Sequence, residues 1–286
     1  MNTQQSNKKS ILITGCSSGI GLYVAKQLQL QGYEVFASAR KSEDVDKLKQ
    51  LGLNSIQLDL DKPVSIKNAV IRIMKQTDNK LYALFNNGAY GLPGAVEDLT
   101  RDALRAQFET NVFGTFELTN LILPIMRKQG YGRIIQNSSI LGFAAMPYRG
   151  AYNGSKFALE GLSDTLRQEL QGTNIHVSLI EPGPINSDFR KNAFKAFNRF
   201  IDSENSLHKD NYQSMIERLN KEGPAAPFTL EPDAVYKRVV HALESNRPQA
   251  RYYVTKPTYI MGYLKRLLSS RMMDWVLMKA GGGGKR

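Results

Sequence analysis

The segment Thr14-Gly15-Cys16-Ser17-Ser18-Gly19-Ile20-Gly21 narrows the possible folds of this chain most sharply. It follows a short apolar run, Ser10–Ile13, and opens a helical pattern from Ile20 to Gln31 whose apolar members are Ile20, Val24, Leu28 and Leu30. Glycines let a backbone turn tightly and let a phosphate come close. The start of a helix adds unbonded N–H groups and a positive dipole end. A glycine turn alone is only a turn. Its place between the first strand and the first helix points to a nucleotide-binding loop.

Short apolar runs then alternate with helical patterns. Strands are expected at Tyr33–Ser38, Ser55–Leu58, Leu81–Phe85, Gly132–Asn137 and Ile175–Ile180, with a seventh at Tyr252–Thr255. Helices are expected at Glu43–Gln50, Pro63–Gln76, about Arg101–Lys128 and Ala151–Leu170. Such alternation indicates βαβ units and a parallel sheet. The fold class is therefore α/β, a doubly wound parallel sheet (Rossmann fold) of six or seven strands. A single catalytic domain is expected over residues 10–257. Residues 1–9 read as a disordered N-terminus without the apolar stretch of a secretory signal, and 281–286 as a flexible tail. Five prolines between Pro182 and Pro232 break the rhythm, which marks about 184–230 as a substrate-loop insertion.

Composition enters through charge. Residues 251–286 hold eight Lys/Arg against Asp274 alone, so this end carries +7 of the total +12. From Ile260 onward, Ile260, Leu264, Leu267, Leu268, Met272, Trp275 and Val276 recur at spacings of three and four, which predicts one basic amphipathic helix over 258–280. It is expected to dock on protein, either its own domain or another subunit, or on an anionic membrane. No reader motif accompanies the charge, so nucleic acid is not an expected partner. No apolar run approaches the roughly 18 residues that span a bilayer. The one cysteine, Cys16, excludes an intrachain disulfide and fits a reducing, cytoplasmic setting, with peripheral membrane association left open. The adjacent helix start is expected to lower the Cys16 pKa and leave the thiol open to reagents. His176, His208 and His241 have no ligand-like spacing, so no metal is expected.

Tyr152 and Lys156 stand at i and i+4 on one predicted helix and share a face. A free phenol has a pKa of about 10, and a nearby ammonium favours phenolate, which is the tuning that general acid–base chemistry needs. After the second strand, Ala37-Ser38-Ala39-Arg40-Lys41 offers no acid for a ribose 2′-OH but two cations for a 2′-phosphate, which favours NADP(H) over NAD(H).

Taken together, the glycine loop, Asp59 after the third strand, Asn86-Asn87-Gly88-Ala89 after the fourth, Asn111, Ser139, Tyr152-x-x-x-Lys156 and Pro182-Gly183 after the sixth resemble the short-chain dehydrogenase/reductase family over residues 10–190. The basic ending looks like its bacterial NADP-dependent aldehyde reductase branch, near the hydroxysteroid and retinol dehydrogenase-like members. The resemblance implies hydride transfer between an apolar aldehyde or ketone and its alcohol. Tyr152 would be the general acid/base, Lys156 its partner, and Ser139 the group that orients the carbonyl. Asn111 would support a water-linked proton relay through Lys156. The implied cofactor contacts are Gly15, Ser17, Ser18, Gly19, Ile20, Gly21, Arg40, Lys41, Asp59, Asn87, Gly88, Tyr152, Lys156, Pro182, Gly183, Ile185 and Ser187. A homo-oligomer, dimer or tetramer, is implied as well. The alternative is a non-catalytic NADP-binding regulatory protein on the same fold. The family usually reads Asn-Asn-Ala-Gly where this chain has Gly88-Ala89. If the fourth position needs positive φ, Ala89 is strained by roughly 1 kcal/mol; otherwise the loop is re-routed. Phe143, Met146, Pro147 and Tyr148 are expected to line the substrate pocket, and Phe194, Phe197 and Phe200 to serve as the apolar underside of a lid, as core packing or as a subunit contact.

Overall fold

The computed structural model describes residues 8–221, 223–224 and 226–282. Seven parallel strands form one sheet: β1 Ser10–Ile13, β2 Glu34–Ala39, β3 Asn54–Gln57, β4 Ala83–Asn86, β5 Gly132–Asn137, β6 Ile175–Glu181 and β7 Arg251–Tyr253. Their spatial order is β3-β2-β1-β4-β5-β6-β7. The order reverses direction between β1 and β4, and in a doubly wound sheet the carboxyl ends beside that switch point form the ligand crevice.

The helices are α1 Gly19–Leu30, α2 Ser42–Gln50, α3 Pro63–Gln76, α4 Arg101–Phe108, α5 Thr115–Gln129, α6 Gly150–Glu169, α7 Phe189–Phe200, α8 Lys209–Asn220, α9 Asp233–Glu244, α10 Lys256–Leu267 and α11 Ser270–Ala280. Alternation along the strands sorts side chains to two faces. Ile11 and Ile13 pack with Val24, Leu28, Val235 and Val239 on the α1/α9 side. Leu12 packs with Ile66, Ile73, Leu118 and Ile122 on the α3/α5 side. Both faces are covered by helices, as buried parallel sheets require.

Four expectations are corrected. The long helix expected over Arg101–Lys128 is interrupted by a π-helical segment, Glu109–Gly114. Its cause is tertiary: a Cβ on Gly114 would lie 1.9 Å from the Leu60 carbonyl oxygen, so the chain is pressed onto the loop after β3 there. The single helix expected over 258–280 is two helices, because Leu268 is extended (φ −91°, ψ 146°) and Ser269, also extended, starts α11. The seventh strand begins one residue earlier and ends two earlier than expected. Lys9 is anchored, with Nζ 2.6 Å from Glu244 Oε2 and 4.9 Å from the centre of the Tyr82 ring, and Gly281 is held by its N–H bond to the Leu277 carbonyl. The remaining expectations of disorder, at residues 1–7 and 283–286, lie outside the described residues.

The insertion after β6 carries α7 and α8 and is stapled shut at its base. Ile185 pairs with Leu230, the Asn186 N–H donates to the Leu230 carbonyl at 2.9 Å, and the Leu230 N–H donates to the Pro184 carbonyl at 3.1 Å. Phe197 is buried in a satellite core with Leu92, Tyr212 and Met215, and Phe194 and Phe200 pack against it. These three rings fasten the insertion to the molecule.

Candidate active site

Six strand ends converge at one edge of the sheet. The glycine loop leaves β1 with Gly15 and Gly19 in the left-handed region (φ +70° and +57°), where glycine is the natural occupant. Gly21 is needed for a different reason: a Cβ there would lie 2.3 Å from the Gly15 carbonyl oxygen. Ser18 is the N-cap of α1, yet its side chain makes no capping bond. The first-turn N–H groups at Gly19, Ile20 and Gly21 have no acceptor within the helix, which is the arrangement that receives a phosphate oxygen. Ser17 is exposed beside them.

Thr14 joins this loop to the one after β4. Its Oγ1 accepts from the Asn87 N–H at 2.9 Å and the Gly88 N–H at 2.8 Å, while Asn87 Nδ2 donates to the Thr14 and Gly15 carbonyls. Neither Gly88 nor Ala89 has positive φ. Ala89 is therefore unstrained, and the loop follows its own course. The two loops approach closely: a Cβ on Gly15 would lie 2.7 Å from Gly88 Cα, and one on Gly88 would lie 3.2 Å from Leu60 Cδ1 and Thr14 Oγ1.

The chain of contacts continues to α6. Asn137 Nδ2 donates to Asn87 Oδ1 at 2.9 Å, and Lys156 Nζ donates to the Asn137 carbonyl at 2.7 Å. The nucleotide-binding loop and the lysine are thus linked through Thr14, Asn87 and Asn137. Lys156 Nζ stands 5.7 Å from the centre of the Tyr152 ring. Both side chains are buried.

Burial governs how these groups titrate. It pushes the Lys156 ammonium down to about 8, against the opposing charge of Glu160. It pushes the Tyr152 phenol up to about 12, with a hydrogen bond to Ser139 acting in the other direction. The expectation that the lysine lowers the tyrosine is corrected here: desolvation dominates, and the phenol is held protonated. Ser139 Oγ accepts from the Leu141 N–H at 3.1 Å, which fixes its hydroxyl at the start of a short 3-10 turn.

Asn111 sits in the π-helical segment. Its Nδ2 donates to the Tyr90 carbonyl at 2.9 Å and to Ser155 Oγ at 3.0 Å, and its Oδ1 accepts from the Tyr90 N–H at 3.1 Å. Both amide N–H groups are consumed. The side chain thereby positions the Tyr90 loop against Ser155 on α6.

At the outer end of the crevice, Arg40 is exposed just past β2 and Lys41 is the N-cap of α2. A cleft of about 470 Å³ runs from Arg40 past Asp59, Lys62, Ser65 and Asn68 to Arg72. Asp59 lies two residues beyond β3, its Oδ1 accepting from the Asp61 N–H at 3.2 Å and its own N–H donating to Ser65 Oγ at 3.0 Å. At the opposite end, Pro182 accepts from the Ile140 N–H at 2.8 Å. A Cβ on Gly183 would meet Thr255 Oγ1 at 2.2 Å, and one on Gly19 would meet Ser187 Cβ at 2.9 Å. Ser187 therefore closes over the start of α1, Pro182 and Gly183 are held against Ile140 and Thr255, and Ile185 packs on the core. These observations fit a dinucleotide: uncapped N–H groups for phosphate, a cationic cleft at one end and Tyr152 at the other.

Tyr152 is enclosed by Ile140, Leu141, Ala144, Met261, Met273 and Leu277, with Phe143 and Met146 against the same cluster. Tyr148 points elsewhere: its hydroxyl bonds His208 Nδ1 at 3.2 Å and accepts from Asn211 Nδ2 at 2.8 Å, which ties it to α8. Cys16 lies in the core, where its Sγ donates to the Ile13 carbonyl at 3.2 Å and burial pushes its thiol up to about 12. The expected lowering by the helix start is overridden, and the thiol is out of reach of reagents.

Two features were not anticipated from the sequence. Phe189, the first residue of α7, stands against Tyr152. Behind Lys156, Glu160, Asp164 and Glu181 surround Arg251, whose Nε lies 3.1 Å from Glu181 and whose NH2 lies 3.1 Å from Glu160 and contacts Asp164. Glu181 is fully buried, and its carboxyl is pushed well above the usual range by desolvation and by Glu160. Glu160 was legible in principle, being one turn beyond Lys156 on the same face.

Residues 9–197 match the family model described as short chain dehydrogenase. The chain is 43% identical over 270 residues to an uncharacterized oxidoreductase, YbbO, of Escherichia coli K12, covering 94% of both chains. It is 35% identical over 213 residues to a 3-ketodihydrosphingosine reductase of Bacteroides thetaiotaomicron, covering 74% of this chain and 76% of the relative. A Burkholderia phymatum short-chain dehydrogenase/reductase solved in complex with NAD superposes with a TM-score of 0.76 at 22% identity, covering 95% of each chain.

Proposed function

The chain belongs to the short-chain dehydrogenase family of oxidoreductases, and from that premise we propose that it reduces an apolar aldehyde or ketone to its alcohol at the expense of NADPH, with Tyr152 as general acid. The observation that carries this reading is the buried Tyr152 ring with Lys156 Nζ 5.7 Å from its centre and held on the Asn137 carbonyl. The cofactor supplies the hydride that joins the carbonyl carbon. Tyr152 donates its proton to the carbonyl oxygen as the C=O π bond breaks. Ser139 donates a second hydrogen bond to that oxygen and orients it. Lys156, held on the Asn137 carbonyl, places a positive charge beneath the phenol as it becomes phenolate. Burial keeps the phenol in the protonated form that reduction starts from, and the Lys156 charge favours the phenolate that proton transfer leaves behind.

Arg40 with the nearby Lys62 and Arg72 supports NADPH, since a 2′-phosphate there meets cations and a guanidinium can bind it through two N–H groups. The wall of Leu141, Ala144, Met261 and Met273 around Tyr152 supports an apolar substrate. The name of the Bacteroides relative describes reduction of a ketone, in the same sense. A second copy of the chain is proposed to cover the face where Leu104, Phe113, Phe157 and Leu162 are exposed, around an open apolar hollow of about 480 Å³. The test is NADPH oxidation by purified protein with a series of aldehydes and ketones of increasing chain length. Tyr152→Phe is expected to lose at least about 100-fold in kcat, in the range of general acid–base contributions, while NADPH still binds. Equal turnover by Tyr152→Phe overturns the assignment.

A further inference from the structure

α10 and α11 bury one side of each helix in the wall around Tyr152, through Met261, Met273 and Leu277, with Leu264, Leu268 and Val276 packed at its edge. The other side is bare. α10 exposes Ile260, Tyr263 and Leu267, and α11 exposes Met272, Trp275 and Met278. Leu267 is 80% exposed and Trp275 is 61% exposed, and a run of six such exposed large apolar side chains on two successive helices marks an interaction surface. Spacings of three and four keep each set on one helix face. The sequence stripe is thus divided: Ile260, Leu267, Met272 and Trp275 face outward, and Leu264, Leu268 and Val276 face inward.

The surrounding charge selects among occupants. Lys265, Arg266, Arg271 and Lys279 flank the bare face, with Asp274 as the one acid between Lys256 and Gly282. Among the described residues none of these four cations has an ion-pair partner; Lys279 lies 4.0 Å over the Trp275 ring. A second copy docked here about a two-fold axis would set this patch against itself, cations facing cations. An anionic bilayer offers the opposite: phosphates for the cations, and an acyl boundary for leucine, methionine and isoleucine. Trp and Tyr favour that boundary, and the stems of Lys and Arg reach from it to the headgroups.

We propose that the outer face of α10 and α11 docks on an anionic phospholipid surface. Because the inner face of the same two helices walls Tyr152, docking brings the substrate chamber next to the lipid. Docking stands on the surface alone; the delivery of a membrane-dissolved carbonyl compound to Tyr152 rests on the reduction proposed above.

Trp275 is the single tryptophan of the chain, so its fluorescence reports this face directly. The full-length protein is mixed with vesicles of phosphatidylcholine, with or without a third of phosphatidylglycerol, at low and high salt. The expected result is a shift of Trp275 emission to shorter wavelength and co-sedimentation with the anionic vesicles only, reversed by salt. Combined Lys265→Glu, Arg266→Glu and Arg271→Glu is expected to cut partitioning at least about 100-fold, since each cation near such a surface contributes on the order of a factor of five. Leu267→Ser, at a side chain with almost no internal packing, is expected to weaken binding while leaving the thermal transition of the protein in place. Unchanged emission with anionic vesicles at low salt overturns the proposal. So does undiminished binding by the charge-reversed variant. An emission shift that follows protein concentration without vesicles also overturns it and assigns the face to a second copy. None of these readouts depends on turnover, so an inactive enzyme that binds vesicles separates the failure of the proposed reaction from the failure of docking.

Discussion

The Phe189 ring stands edge-on to the Tyr152 ring, with centroids 5.4 Å apart and planes at 62°. Phe189 opens α7, so the insertion after β6 reaches Tyr152, the proposed proton donor, through this side chain. The fit includes Gly91, where an added Cβ would lie 2.8 Å from Phe189 Cζ. Phe189→Ala is expected to hydrate the phenol and to raise KM for apolar carbonyl compounds about 3- to 10-fold, the worth of an aromatic pair. Gly91→Ala should displace the same ring and act in the same direction. Steady-state kinetics over a chain-length series checks both; an unchanged KM for long-chain substrates removes Phe189 from the substrate chamber.

The proposed preference for NADPH rests on Arg40. Arg40→Asp removes a phosphate-binding cation and introduces an acid suited to a ribose hydroxyl. The ratio of kcat/KM for NADPH to that for NADH is expected to fall roughly 10- to 100-fold, the cost of one charge-assisted contact. A ratio that stays put transfers phosphate recognition to Lys41, Lys62 or Arg72.

Lys156 sets the alkaline limit. Its ammonium is held down to about 8, so the charged form exists below that pH and is lost above it. Reduction should therefore decline as pH rises through about 8. Glu160 supports the charge from one turn away. Glu160→Gln withdraws that support, lowers the lysine further and should move the alkaline limb of the kcat profile to lower pH. A limb that does not move shows that Glu160 serves only the Arg251 cluster.

Cys16 should resist thiol reagents in the folded protein and react on unfolding, because it is fully buried and its thiol is pushed up to about 12. Counting modified thiols with and without denaturant checks this. Cys16→Ser should retain turnover, since the side chain faces the core and not the crevice.

The parallel sheet and the strand-end motifs were legible because each rests on local pattern: apolar runs of four to seven residues, and polar or glycine residues placed just after them. What escaped has tertiary causes. The apolar spacing from Arg101 to Lys128 runs unbroken, whereas the π-helical segment, in which Gly114 meets the Leu60 carbonyl and Asn111 bonds Tyr90, depends on contacts distant in sequence. The i, i+4 spacing of Tyr152 and Lys156 shows proximity but not dielectric, so the direction of the tyrosine shift could not be read from it. The three-and-four spacing from Ile260 to Val276 continues across Leu268–Ser269, where the chain leaves the helix and starts another. Phe189 meets Tyr152 from the start of the insertion, beyond β6, and no periodicity connects them.

The near-contact of Gly15 with Gly88 bears on how this crevice can be altered. Two loops from different βα units meet backbone to backbone, and Thr14 and Asn87 lock the seam with hydrogen bonds from both sides. Neither loop is a separable module. A chimera that imports a glycine loop from another enzyme without its β4 counterpart brings one half of a matched joint, so cofactor-loop transplants into this scaffold should succeed in pairs and fail singly.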